Sequence, residues 1–209
     1  MRTDAARMST SPTNQDGRVQ AVILQRARRR VWPGALARDK SAPQQRVVHC
    51  WDSGQPLLGW VLSAHSRPHH RTTEVHRRCA LIARGMGYGG VDIAFIGPPA
   101  EPARGGLSAG PDLPELTALR SLAHDRDLVV LAWGNAIDIP KGAAAAGLLH
   151  KELARHCGSL AVLGWTTDGR PLDVDDASRA PTLSCLSCAL TAAYDHDARF
   201  DRLVMGAAS

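Results

Sequence analysis

The chain has 209 residues, 44% of them hydrophobic, and a formal net charge of +5. That is the length of one domain with enough apolar content for a real core, which excludes a chain too polar to fold. No run approaches the roughly 18 apolar residues that a membrane helix needs, which excludes a helical membrane protein.

The basic balance comes from 22 Arg against only 3 Lys, among many Ala and Gly. This fits the composition of a GC-rich genome better than a surface selected for nucleic acid, although a polyanionic partner stays open. The five cysteines, at 50, 79, 157, 185 and 188, form an odd and sparse set rather than a secreted disulfide framework. The chain is read as soluble, reduced and cytoplasmic. The first residues, MRTDAARMSTSPTNQDG, lack the apolar centre of a signal peptide.

In chain order, residues 1–17 are expected to be a disordered tail. Residues 18–181 are expected to form a single α/β domain, and 182–209 a C-terminal extension, helical or strand plus helix. Arg18–Gln25 (RVQAVILQ) is apolar and β-branched enough for a strand, with a helix start as its alternative. The basic run Arg26–Arg30 that follows is an anion-binding strip or a solvated face. Arg46–Trp51 and Leu57–Ala64 read as two strands joined by the turn 52–56, a β-hairpin. The polar segment 65–71 leads into a helix that Thr72 or Thr73 caps. Its apolar stripe is Val75, Cys79, Ile82, Ala83 and Met86, and glycines at 85 and 87 end it.

Val91–Ile96 is a buried strand, followed by a Gly- and Pro-rich loop over 97–112. Asp112 caps a helix running through Glu115–His124. Asp127–Trp133 is a continuous apolar run and the clearest strand. Gly142–Cys157 is helical with Gly158 as its cap, and Ser159–Gly164 is another buried strand. Alternation of this kind predicts an α/β fold, a three-layer sandwich with a mostly parallel central sheet, in which ligands sit at the carboxyl ends of the strands.

Five short runs occur in an ordered series: Trp51-Asp52-Ser53-Gly54, Arg77-Arg78-Cys79, Gly87-Tyr88-Gly89-Gly90, Asp127–Gly134 with Asn135, and Gly164–Pro171 (GWTTDGRP). In order and spacing, over about residues 46–173, they resemble a mainly bacterial family known as domain of unknown function 1643. The chain departs from that family's polar signature. Ala64-His65-Ser66 stands where the family has Asn-Pro-Ser, and Val75 stands where it has Thr. Phe95 replaces an Asn, and Asp173-Val174 replaces a His-Pro pair. The family's Asn-Pro and His-Pro elements are similar to the plan of uracil-DNA glycosylases. Since both are replaced here, the resemblance implies a diverged member that does not excise bases by that route.

The segment from His65 to Arg71 combines imidazoles and guanidiniums ahead of a helix N-terminus, where free N–H groups and the helix dipole favour an anion. A solvated basic loop is its other reading. His65, Ser66, Arg67, His70 and Arg71 are therefore candidate phosphate contacts. Trp133 and Asn135 after one strand, with Trp165 and Asp168 after the next, are candidate cleft walls, because an indole stacks on a base or sugar.

The expected function is non-catalytic binding of a nucleotide or nucleic-acid-like anion, with no metal and no cofactor. Two alternatives stand beside it. One is an enzyme acting on a nucleobase or nucleotide, with His70, Asp168 or Asp173 as acid/base groups. The other is an interaction module stabilised by zinc on Cys185 and Cys188, a C-x-x-C without a second half. The imidazoles at 65, 69, 70 and 76 match no zinc spacing, Ser66 has no nucleophile elbow, and the glycines 85–90 lack the Lys of a P-loop.

Overall fold

The computed structural model describes residues 45–64, 71–97, 110–178, 181–188 and 196–205, without the side chains of 71–73. The expected strand at 18–25 and the basic run at 26–30 lie outside these residues. Six strands form one sheet: β1 (Arg46–Cys50), β2 (Leu57–Ser63), β3 (Gly90–Ile96), β4 (Leu128–Ala132), β5 (Ser159–Val162) and β6 (Ser184–Ser187). Among the described residues four helices accompany it: α1 (Arg71–Gly85), α2 (Leu113–Asp125), α3 (Ile139–Ala154) and α4 (Arg199–Met205). The α/β class is as expected. The sheet is mixed, in the order β1-β3-β2-β4-β5-β6. The pairings of β2 with β3, β2 with β4 and β4 with β5 are parallel, and each edge strand is antiparallel to its neighbour.

The expected hairpin of β1 and β2 does not form, because β3 lies between them. Every residue of β2 from Leu58 to Ser63 is buried, whereas the last three of β1 are exposed. A strand buried on both faces belongs at the centre, and a half-exposed one at the rim. The turn between them clasps the start of β3 instead. The N–H groups of Trp51 and Asp52 both donate to the Gly89 carbonyl, at 2.8 and 2.9 Å, and the Gly89 N–H donates to Pro56 at 2.9 Å. A Cβ at Gly89 would lie 2.0 Å from the Asp52 carbonyl oxygen, so the clasp needs glycine there.

The inner strands alternate cleanly between two cores. Leu58, Trp60 and Leu62 face the same side as Val91, Ile93, Phe95, Val130 and Ala161, under the α1 stripe Val75, Cys79, Ile82 and Ala83. Val61, Ala94, Ile96, Val129, Leu131, Leu160 and Val162 face the other side, against α2, α3 and α4. The α1 stripe is the expected one, although the helix starts at Arg71 and so takes Thr72 and Thr73 into its first turn.

Asp112 caps α2 as expected, accepting from Glu115 N at 2.9 Å while the Glu115 carboxylate accepts the Asp112 N–H at 2.9 Å. Helix α3 begins three residues earlier than expected. Asp138 caps it, accepting from Lys141 N at 2.9 Å, and Pro140 fits a first-turn position. It also ends earlier, and Cys157 rather than Gly158 takes the positive φ of 62°. The C-terminal segment is strand plus helix rather than a helical extension. Strand β6 completes the sheet, and Phe200 of α4 is wholly buried in the α2–α3 core.

A charged cluster is buried inside this frame. Asp92, in the middle of β3, has no exposure. Arg46 Nε and Nη2 reach it at 2.8 and 2.5 Å, and Arg126 Nε and Nη2 at 2.7 and 2.6 Å. Arg46 continues to Asp125 at 2.7 Å. Gly59, paired with Asp92 across β2, leaves the space: a Cβ there would meet Val129 at 3.0 Å and Arg126 Cβ at 3.4 Å. Removing one member of a buried charge cluster strands the others, typically at a cost of about 3–5 kcal/mol. Asp92→Ala is accordingly expected to lower unfolding stability by about that amount in urea titrations. An effect within about 0.5 kcal/mol, the usual range for surface changes, would remove the cluster from this role.

Candidate functional site

Strands β2 and β4 are neighbours, but the chain leaves them toward opposite faces. After β2 it enters α1, which lies over one core, and after β4 it enters α3, which lies over the other. The carboxyl ends of such a pair are the topological switch point of an α/β sheet, where diverging connections leave a crevice. Here the switch point lies between Ala64, at the end of β2, and Trp133-Gly134, at the end of β4.

The candidate cleft residues distribute unevenly around it. Trp133 is 1% exposed and continues the inward alternation of Val129 and Leu131, so it belongs to the core rather than to a cleft wall. Its indole lies against Gly142 in the first turn of α3. Trp165 likewise packs on the core: its ring meets Phe200 edge-on at 5.0 Å, and the Arg199 guanidinium lies 5.2 Å from its centre. The Trp133 ring is not free to stack on a base, and the half-buried Trp165 ring already has Phe200 and Arg199 against it.

Asn135 is exposed, in the short 3-10 turn Gly134–Ala136. Arg170 joins it to Asp168. The Arg170 guanidinium donates to the Asn135 and Ile137 carbonyls at 3.2 and 3.1 Å and to the Asp168 carboxylate at 2.7 Å. The Thr166 hydroxyl also donates to Asp168. That hydroxyl, then Arg170, holds the Asp168 carboxyl below its ordinary range. Asp168 is thus an anion at neutral pH, held by Thr166 and Arg170, which does not suit the general-acid role considered for it. His65, Ser66, Arg67 and His70 lie outside the described residues. Arg71 opens α1, and its side chain lies outside them too.

A carboxylate does stand at the switch point. Asp173 lies over Gly134, whose φ is +58°. A Cβ on that glycine would meet Asp173 Cβ at 3.0 Å and Oδ2 at 3.4 Å. The Asp173 side chain accepts the Asp175 N–H at 3.0 Å, but it makes no ion pair among the described residues. Burial is the main cause that raises its pKa, and Asp175 and Asp176 add to the effect. Arg78 of α1 holds the turn that carries it, donating to the Asp175 carbonyl at 2.9 Å and to the Ala177 carbonyl. From the sequence Asp173 is expected only as an acid/base alternative, and Arg78 only as part of a family-like run with no site role. The one signal for both was their place in, or next to, the runs shared with the resembled family.

A second ionic group closes the same end of the sheet. Glu115 and Lys141, 3% and 4% exposed at their side chains, pair at 2.8 Å. Glu115 Oε1 also accepts the Gly97 N–H at 2.5 Å, at the carboxyl end of β3. This pair fixes the starts of α2 and α3 to the sheet. The Asp112 cap was legible, but nothing in the local sequence pointed to Glu115 as its partner or to Lys141.

The zinc alternative loses its geometry. Cys185 and Cys188 face opposite sides of β6, one toward each core, since residues three apart on a strand point away from each other. Burial pushes their thiols up to about 11 and about 12, respectively, which disfavours the thiolate that a metal needs. No cluster of metal-ligating side chains exists among the described residues. His76 is tilted against Phe95 at 6.0 Å, and burial lowers its pKa. No helix among the described residues is long and apolar enough to cross a membrane. No protein-family model, curated protein or solved structure matches the chain.

The Asp173 carboxyl has a consequence for stability. Folding raises its pKa, so the native state holds the proton to higher pH than the unfolded chain does. Stability therefore falls as pH rises from the ordinary carboxylate value, about 4, through the folded value, and the penalty is complete above it. In Asp173→Asn this fall should disappear, leaving the variant more stable than wild type at neutral pH in urea titrations run as a pH series. An unchanged pH profile would show that the carboxyl is not desolvated.

Proposed function

We propose that the protein binds a nucleotide or nucleic-acid-like anion at the carboxyl ends of β2 and β4. The observation that carries this reading is the switch point itself. The connection leaving β2 there is the basic segment 65–70, followed by Arg71 at the start of a 15-residue helix. Guanidiniums and imidazoles joined to a helix N-terminus suit a phosphate group. Arg67 and Arg71 are the leading contacts, with His65, Ser66 and His70 beside them. Trp133 and Trp165 no longer count as stacking walls. The ligand's other wall is the Gly134–Asn135 turn and the segment that carries Asp173.

The finer reading of the fold is a three-layer sandwich whose parallel centre offers this crevice, in a cytoplasmic protein diverged from family 1643. What supports it is the presence of helices on both faces of the sheet and the way the shared runs meet in space, as the Trp51–Gly54 turn does with Gly89.

The Arg67→Ala/Arg71→Ala double variant tests the function. Its affinity for nucleoside phosphates and short oligonucleotides, measured by titration calorimetry at low salt, is expected to fall at least tenfold. The salt slope of oligonucleotide binding should fall by about two, one for each lost phosphate contact. Binding equal to that of wild type at low salt would reject the reading.

A further inference from the structure

We propose that the protein holds a monovalent cation, of the size of potassium or ammonium, in a cleft at the amino end of its parallel strands, between the Asp127 carboxylate and the Tyr88 hydroxyl. This site lies at the opposite end of the sheet from the anion site above and does not rest on it. The cleft is lined by Pro56 and Leu57 at the start of β2, Tyr88 just before β3, and residues 125–128 at the start of β4. Its enclosed volume is about 20 Å³, room for one species the size of water.

Two of these wall residues lack the partners that burial calls for. Tyr88 is 4% exposed, and its phenol oxygen meets no hydrogen-bond partner among the described residues. Burial first, then the charges of Cys185 and Asp127, raises its pKa. The phenol is therefore neutral, and its oxygen lies in the field of the Asp127 carboxylate. Asp127 is half-buried, and its carboxylate pairs with no cation among the described residues. The charged groups around it do not offset it. Asp92, Asp125 and Asp127 bring three negative charges, Arg46 and Arg126 bring two positive ones, and both guanidiniums are committed to Asp92 and Asp125.

One excess negative charge beside a buried phenol oxygen suits one monovalent cation. A water molecule would fill the space and leave the charge. A divalent ion draws on more carboxylates than this cleft offers, and no metal-ligating cluster of three side chains exists among the described residues. The Cys185 sulfur is a weak acceptor for the phenol proton, which leaves the oxygen's lone pairs for the ion. An ion held there ties together the starts of three neighbouring strands.

Thermal unfolding of the full chain in potassium chloride and in choline chloride at equal ionic strength tests this, because choline is too large for the cleft. Potassium is expected to raise the midpoint by about 3–6 °C, the shift for roughly a tenfold excess of ion over its dissociation constant. Asp127→Asn, which removes the charge and keeps the shape, should abolish the difference between the two salts, and Tyr88→Phe should reduce it. Asp176→Asn, an exposed carboxylate at the other end of the sheet, should keep it. Crystals soaked in rubidium chloride should show anomalous scattering between Asp127 and Tyr88. Equal midpoints of wild type in the two salts overturn the assignment. So does a potassium effect that survives in Asp127→Asn, is unchanged in Tyr88→Phe or is lost equally in Asp176→Asn, and so does an ordered water without rubidium in the cleft.

Discussion

The structure turns on a buried carboxylate that must be compensated. Asp92 lies where three strands and a helix meet, and its two guanidinium partners come from opposite directions: Arg46 from edge strand β1, and Arg126 from the junction between α2 and β4. An ionised group without exposure is tolerated only when paired and hydrogen-bonded. The cluster therefore acts as a register pin. Sliding β3 by one residue would turn Asp92 into the opposite core, among Trp60, Cys79 and Val130, with no cation to meet it. Gly59 belongs to the same constraint, because any side chain there would occupy the path of Arg126. The antiparallel edge, the parallel centre and the end of α2 are locked by one set of contacts.

Four of the five short runs meet as two pairs in space, and the fifth meets a turn just beyond the last run. The Trp51–Gly54 turn closes on Gly89, and the Trp51 indole donates to the Tyr88 carbonyl at 3.2 Å. Arg78 grips the turn at 175–177, and Arg170 of the second-last strand's exit loop grips the carbonyls at 135 and 137. Each run is meaningful only through its partner, which lies between about 35 and 100 residues away in the chain. Their polar atoms hold backbone, so they build the frame of the fold.

This explains what the sequence made legible. Local rules worked where the cause is local. The apolar stripe of α1 follows from its period, the Asp112 cap from its residue type at a helix start, and strand β4 from an uninterrupted apolar run. The failures share one physical origin, in partners distant along the chain. Nothing between Arg46 and Ala64 says that β3 will insert between two consecutive strands. The C-x-x-C at 185–188 suggests half of a zinc site, whereas pairing with β5 puts its sulfurs on opposite faces of the sheet. Trp133 could have been assigned inward by extending the alternation of Val129 and Leu131, but its neighbours Gly134 and Asn135 suggested an opening. Lys141 pairs with Glu115 through tertiary packing alone.

Comparison of the carboxylates separates frame from site. Asp92 is the more deeply buried and has two arginines. Glu115 has a lysine and two backbone N–H groups, and Asp168 has an arginine and a hydroxyl. Asp173 alone among these four is desolvated with only backbone donors, in the company of two further aspartates that raise its pKa rather than lower it. A group left in that condition costs stability, and it persists because Arg78 and Gly134 hold the turn around it. At the amino end of the sheet the chain itself supplies the countercharges of Asp92. Near the carboxyl end of β4 it leaves one carboxylate, Asp173, with backbone donors alone among the described residues.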